Sequence, residues 1–462
     1  MSRVASATGL TDRRRLIAAA LSALLPGLGQ LANGRRTFGL RMLVPSLVVG
    51  LLVAVVWLTT PPMRLAATLI VPATLQLVLV LNVLILAWRL FAVLHAFFDR
   101  SFAVRPGRVG IVGLAVIVAL VAVPHVLAGY YGWIAYGSFA KVFGDTTVDG
   151  APIDRSAGPA WASGTRLNVL LTGVDTGPGR HHALTDTMIV ASLDPVGKTV
   201  TLISIPRDMV NVPLGNGDVY GPKLNSLEEY AAAHPKDFPH GAARALPDAI
   251  GALLGLPIHY TAQIDLGGFV HLVDRVGGVD VTVAKPLSDP DYGGFGVGPG
   301  WSITAGEHHL DGADALAYAR IRKSTGETDF TRAARQQQIL VALRDAVVTD
   351  DLLFQVPALL GSLGDTVRTD LPADRLPDLA VLAQEVSATD ATLVVVKWPL
   401  VHPGKNNPYG SVQIPDVTAI QAMVRLAAPA PGIAPTPWPT PKPTKAPASP
   451  KASPKASPTA QP

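Results

Sequence analysis

Three uninterrupted apolar runs dominate the first third of the chain: Leu43–Thr59, Leu65–Trp88 and Val109–Ala128. A bilayer-spanning helix needs roughly 20 apolar residues, and a helix that is apolar all round must bury its whole circumference. The pattern therefore predicts three membrane-spanning helices. They are read as free of internal acid or base, which leaves nothing to mark a transport pathway. An earlier stretch, Leu16–Leu31, is also apolar, but Pro26, Gly27 and Gly29 interrupt it. Such residues break helices, so this stretch predicts a short hairpin or re-entrant segment.

Between Leu167 and Leu426 the pattern changes to short apolar runs alternating with helical spacing. RLNVLLTGV, TDTMIVASLD and TVTLISIPRD read as strands, the last two joined by the turn PVGK. Leu246–Leu254 has helical spacing. HYTAQID reads as a strand, GGFVHLVDRV as a helix and GGVDVTV as a strand. Helices are predicted over Ala313–Tyr318, ending near Arg320, and over Arg332–Val347, Asp351–Leu363 and Leu376–Val386. TLVVVKW is a late strand. This interleaving predicts the α/β class: an α/β/α sandwich with a mixed central sheet, preceded by an all-α transmembrane region.

From Pro429 the chain turns to Pro, Ala, Ser, Thr and Lys, a composition that cannot bury a core. The expected organisation is an N-terminal segment with the apolar hairpin (1–36), membrane helices (37–130), a linker (131–165), an outer domain (166–427) and a disordered tail (428–462).

Charge orients these parts. Arg35, Arg36 and Arg41 precede the first run, and Arg89, Arg100, Arg105 and Arg108 separate the second from the third. Only Arg64 lies between the first and second. Basic loops stay inside. The expectation is a multi-pass protein of the cell membrane whose domain beyond about Tyr130 lies outside the cytoplasm. A net charge of +4 is too mild to imply nucleic acid, and none is expected as a partner. The absence of cysteine excludes disulfides, thiolate catalysis and cysteine metal sites.

Candidate chemistry gathers at predicted strand ends, where α/β sheets place ligands. Asp175 follows LLTGV, Asp186 opens the next strand, Arg207 and Asp208 sit in SIPRD, and Lys223 and Asn225 in PKLNS. A second concentration runs from Arg320 and Arg322 through Asp329 and Arg332 to Arg335 and Gln336. Paired carboxylates without a histidine pair suit a hard cation held through oxygens. Mg²⁺ fits, since it uses one or two carboxylates and takes phosphate as a further ligand. Guanidinium forks suit phosphate oxygens. Together they predict Mg²⁺ bridging a pyrophosphate whose remaining charge arginines neutralise. Arg332, Arg335 and Gln336 fall at helical spacing. Arg320 and Arg322 share a direction only if the backbone between them is extended.

The ordered set LLTGVD, TDTMIV, SIPRD, KLN, IHY, GGVDVTV, LDGADALAYARIR and DFTRAARQQ resembles the LytR–CpsA–Psr family over about Leu167 to Leu343. The resemblance implies an extracytoplasmic α/β domain on a membrane anchor. It also implies Mg²⁺-assisted transfer of a glycopolymer from an undecaprenyl-pyrophosphate carrier onto peptidoglycan, as a phosphodiester at the muramic acid 6-hydroxyl, with membrane lipid as a further partner. Carried over by motif, Asp175 and Asp186 would face Mg²⁺. Arg207, Arg320, Arg322 and Arg332 would act on the phosphates, with Asp329 near the acceptor as a base. Lys223, Asn225, Arg335 and Gln336 would contact substrate, although Arg335 could instead pair with Asp329 or Glu327. One position departs from the family pattern: Leu184 stands where arginine is usual, and Arg180 or His182 would substitute. His181 and His182 are read as non-ligands. The competing readings are a polyprenyl-pyrophosphate phosphatase and a non-catalytic envelope-binding or regulatory protein.

Overall fold

The computed structural model describes residues 2–102, 104–143, 147–148, 151–152, 162, 164–175, 184–295, 297–347, 367–386, 391–404 and 407–438. Six helices form the N-terminal part: α1 (Ser2–Leu24), α2 (Leu28–Ala32), α3 (Arg36–Thr59), α4 (Pro62–Ile70), α5 (Pro72–Phe97) and α6 (Arg108–Phe143). Of these, α3, α5 and α6 are long and apolar enough to cross a membrane, three as expected, but the second run, Leu65–Trp88, is divided between α4 and α5 at Val71, where Pro72 opens a new helix. Residues 131–143 of the expected linker continue α6, where Ala135, Tyr136 and Phe139 pack in a cluster with Leu75.

The apolar hairpin is present. The chain turns between α1 and α2, with Gly27 at φ +107°. Close approach requires Gly29: a Cβ there would lie 1.9 Å from the Ala18 carbonyl oxygen. Buried Gln30 donates to the Ala92 carbonyl (2.8 Å) and accepts from Ser22 Oγ (3.0 Å), binding the hairpin to α5. The last carbonyls of a helix have no partner of their own. Arg89 of α5 donates to one of them, Ala23 O, at 2.6 Å.

The expectation of spans without an internal base does not hold. His125 of α6 sits 2.7 Å from Asn82 Oδ1 through Nδ1, and Arg89 Nη1 lies 3.4 Å from its Nε2. Asn82 Nδ2 also donates to the His125 carbonyl at 2.9 Å. These contacts lock α5 to α6 and occupy each other's polar atoms, so they read as a packing device.

The C-terminal domain is built on one six-stranded mixed sheet. Its strands are β1 (Leu167–Asp175), β2 (Leu184–Asp194), β3 (Thr199–Ser204), β4 (Tyr260–Asp265), β5 (Val367–Thr369) and β6 (Ala391–Val395). Their spatial order is β5-β4-β1-β2-β3-β6. The pairs β1–β4 and β3–β6 are parallel, and the other three are antiparallel. Among the described residues its α-helices are α7 (Leu227–Ala233), α8 (Ala242–Leu254), α9 (Leu266–Arg275), α10 (Gly312–Arg320), α11 (Asp329–Val347), α12 (Leu376–Glu385) and α13 (Val417–Ala427).

Strand side chains alternate between faces, and the core divides accordingly. Leu170, Met188, Val190 and Ile203 pack with α7, α8 and α13. Leu171, Ile189, Ala191 and Leu202 meet Leu340 and Val341 of α11 on the other face. The result is the expected α/β/α sandwich. The predicted helix Asp351–Leu363 lies outside the described residues, as do residues 439–462 of the expected tail. Residues 428–438 do not behave as a tail. Trp438 packs against the core, and the Gly432 N–H donates to Asp194 at 2.8 Å.

The two parts touch. Leu75 of α5 and Phe139 of α6 are buried in a cluster with Val367, Ala373 and Leu376, and Arg64 reaches Asp378 at 3.3 Å.

Candidate active site

The sheet brings the motif residues to one rim. β1 ends at Asp175, β2 begins beside it, and β3 leads through Ile205 and Pro206 to Arg207. Across β1 and β2 the register pairs Gly173 with Thr187 and Val174 with Thr185. Asp186 is thus the extra residue of a β-bulge, a device that re-aims a side chain at a sheet edge. Its carboxylate accepts from Arg207. Asp208 accepts from Lys223 Nζ at 2.8 Å. The Asn225 backbone N–H donates to the Arg207 carbonyl at 3.2 Å, so Asn225 steadies the arginine's segment.

Arg320 and Arg322 come from the end of α10. Asp311 caps the start of that helix by accepting from the Asp314 N–H. The helix ends at Arg320 because Ile321 turns extended (φ −52°, ψ 137°). Ile321 is wholly buried, which directs its two neighbours together toward the rim. Arg320 donates to Asp175 at 3.0 Å, and Asp175 is paired across the strands with Leu184, two residues from Asp186. The departure at Leu184 is thus local to this pair. Arg180, His181 and His182 lie outside the described residues.

Helix α11 supplies the rest. Arg332 is buried and Asp329 exposed. A cavity of about 260 Å³ is lined by Asp186, Arg207, Asp208, Asp329, Arg332 and Gln336. Arg322 interacts electrostatically with Arg207, Asp186, Asp329 and Asp208, which joins it to the same group. A larger cavity of about 450 Å³ opens near Arg244 and Pro257. It adjoins the opposite ends of β1 and β4 and holds none of the predicted residues.

The charge in this cavity is unbalanced at the level of hydrogen bonds. Arg332 Nη1 lies 2.7 Å from Asp329 Oδ1 but at an angle that makes no hydrogen bond, and Arg207 Nε is 3.7 Å from Asp208. Both nitrogens are buried without a hydrogen-bond partner among the described residues. Burial, and then the nearby guanidinium groups of Arg322 and Arg207, hold Arg332 down to about 10 despite Asp329 and Asp186. Each nitrogen is thus ion-paired with a carboxylate but makes no hydrogen bond, and an anion with several oxygens would supply one.

Arg335 is placed differently from its expected role in substrate binding. It is buried beneath the rim, with Nε donating to Tyr318 O and Nη2 to Ile321 O, each at 2.7 Å. Its third nitrogen reaches Glu327, also buried. Arg335 therefore holds the end of α10, from which Arg320 and Arg322 project. Gln336 is half-buried, and its amide meets the Ala319 carbonyl at 3.5 Å. Sequence reasoning missed Gln337. This buried residue donates to Leu202 O (3.0 Å) and Val394 O (2.7 Å), fastening α11 to β3 and β6. No pattern separates it from Gln336 and Gln338.

Asp175 and Asp186 are each paired with an arginine, Arg320 and Arg207, and a hard cation such as Mg²⁺ would have to share their oxygens. Asp175 and Asp186 are oxygen donors from adjacent strand ends, and phosphate and water would complete the shell of such a cation. Among the described residues no group of three or more His, Cys, Asp or Glu side chains forms a closed metal site.

The family model described as the LytR_cpsA_psr family matches residues 145–423. The chain belongs to that family. Among its relatives is a polyisoprenyl-teichoic acid–peptidoglycan teichoic acid transferase, TagU of Halalkalibacterium halodurans. It is 32% identical over 214 residues, 46% of this chain and 64% of that protein. TagV of Bacillus subtilis, which carries the same transferase description, is 33% identical over 186 residues, 40% of this chain and 44% of that protein. The chain thus spans less than two thirds of the length of either relative. The crystal structure of B. subtilis TagV is 25% identical with a TM-score of 0.45, over 57% of this chain and 97% of that one.

Proposed function

We propose that this protein is a membrane-anchored phosphotransferase that moves a glycopolymer from an undecaprenyl-pyrophosphate carrier onto peptidoglycan. The observation that carries this reading is the crowd of Arg207, Arg322 and Arg332, with two buried nitrogens lacking hydrogen-bond partners. A pyrophosphate offers the oxygens to fill them. The similarity to transferases of teichoic acid to peptidoglycan supports the choice of donor and acceptor classes.

In this reading a hydroxyl of the peptidoglycan acceptor attacks the phosphorus next to the glycan. A new P–O bond forms, and the bond from that phosphorus to the bridging oxygen breaks. Polyprenyl phosphate leaves with the electron pair, and the hydroxyl proton passes to Asp329, which is exposed at the cavity edge. Arg207, Arg322 and Arg332 orient the phosphates and stabilise charge on their oxygens. Arg320 does the same from its place beside Asp175. Lys223 holds Asp208, and Gln336 lines the floor. Mg²⁺, held by Asp175 and Asp186, would neutralise pyrophosphate charge. An apolar groove lined by Leu171, Leu202, Leu340, Val341, Ala383 and Val386 suits the carrier's hydrocarbon chain. The basic 89–108 segment favours an inside location for it, and so an outer domain outside the cytoplasm.

The test is to incubate the purified protein with a polyprenyl-pyrophosphate oligosaccharide, Mg²⁺ and soluble peptidoglycan fragments, and to weigh the products. The expected product is a phosphodiester conjugate, reduced at least about a hundredfold in Arg207→Ala and Asp186→Ala. Release of inorganic phosphate or polyprenyl phosphate without a conjugate would replace this reading with a phosphatase.

A further inference from the structure

A second concave feature lies in the helical part. Helices α1 and α6 cross to form a groove of about 980 Å³ walled by Leu16, Ile17, Val116 and Ile117. Its polar end is bordered by Asp12, Arg13 and Arg108. Asp12, the one carboxylate among the described residues that line it, is already used: it is buried and accepts from the Gly107 N–H (3.1 Å) and the Gly110 N–H (3.2 Å) at the start of α6. Arg13 and Arg108 are exposed, come from different helices, and have no ion-pair partner among the described residues. The apolar wall is open as well, with Ile17 49% and Val116 53% exposed. The feature is therefore amphipathic in one direction: two unpaired guanidinium groups at one end, and hydrocarbon along the remainder.

We propose that this groove binds an anionic glycerophospholipid, its phosphate between Arg13 and Arg108 and an acyl chain along Leu16 and Ile117. The charge selects the ligand. A zwitterionic lipid brings its own cation to the same place, whereas an anionic one meets two unpaired arginines. Basic pockets between membrane helices recognise such headgroups in this way. The site is separate from the rim and does not depend on the transferase reading.

The experiment is native mass spectrometry of the full-length protein in detergent, titrated with phosphatidylglycerol, phosphatidylcholine of matched chains, or polyprenyl phosphate. One phosphatidylglycerol per chain is expected to be retained in preference to phosphatidylcholine. Its affinity is expected to fall roughly fivefold in Arg13→Gln or Arg108→Gln, and roughly thirtyfold in the double variant. Val116→Trp, which fills the groove from an exposed position, is expected to reduce retention without changing charge. Arg14→Gln is the control, since Arg14 is exposed outside the groove. Equal retention of the two phospholipids, an equal effect of Arg14→Gln, or selective retention of polyprenyl phosphate would each overturn the proposal.

Discussion

Arg335 and Glu327 bear the most consequence of any buried pair, because the arginine also holds the carbonyls that aim Arg320 and Arg322. Their side chains are 8% and 1% exposed. Removing one partner of such a pair leaves an uncompensated charge. Glu327→Gln is expected to cost about 3 kcal/mol of stability, read as a lowered urea midpoint, and to reduce turnover with the rim residues unchanged. The pair also has a pH signature. Burial raises the Glu327 carboxyl, but hydrogen bonds from Arg335, Thr331 and Lys285 outweigh it and leave the group below its usual value of 4.5. A depressed carboxyl stabilises the fold above its unfolded pKa, and that contribution disappears as pH falls through the lower, folded value. Wild type is expected to lose stability below about pH 4.5, and Glu327→Gln to lack that part of the slope. An unchanged slope would show that Glu327 does not report the pair.

Elements were legible in the sequence where a period or a breaker marked them. The strand ending at Asp175, the stop at Arg320 and the break at Pro26 and Gly27 each have a local cause, whereas the strand read through TVTLISIPRD stops at Ser204, two residues before Pro206 removes a ladder donor. The bulge at Asp186 was not legible, because it is a register slip between two strands and neither strand alone encodes it. Helix α13 was also passed over, as was the return of residues 428–438 to the core, since their proline-rich composition hides the single Trp438. Arg335 was legible only as two open alternatives, because a guanidinium can face a ligand or a carbonyl and spacing does not say which. The hairpin of α1 and α2 supplies a prediction at this scale. Gly29→Ala would force a methyl group onto the Ala18 carbonyl. A backbone atom cannot step aside, so the variant is expected to lose about 3 kcal/mol or more, seen as a lower melting temperature in detergent. A neutral result would mean the two helices separate freely.

The whole molecule is joined by a seam in which α12 meets α4 and β5 meets α6. Because the chain has no cysteine, the seam can be probed directly. Arg64→Cys with Asp378→Cys is expected to give one intramolecular product with a short bis-maleimide, visible as a mobility shift, while either single variant gives none. Failure of the pair to cross-link in membranes would mean that the seam opens there. The same helix lines the apolar groove with Ala383, so anchor and groove share a wall. Where the seam is closed, the rim travels with the bilayer at one height and one bearing. If the proposed carrier is embedded in that bilayer, the search for it becomes planar, with much of the orientational entropy already surrendered. The proposed acceptor, a polymer not held in the bilayer, would gain nothing from this and would have to be brought within that fixed reach.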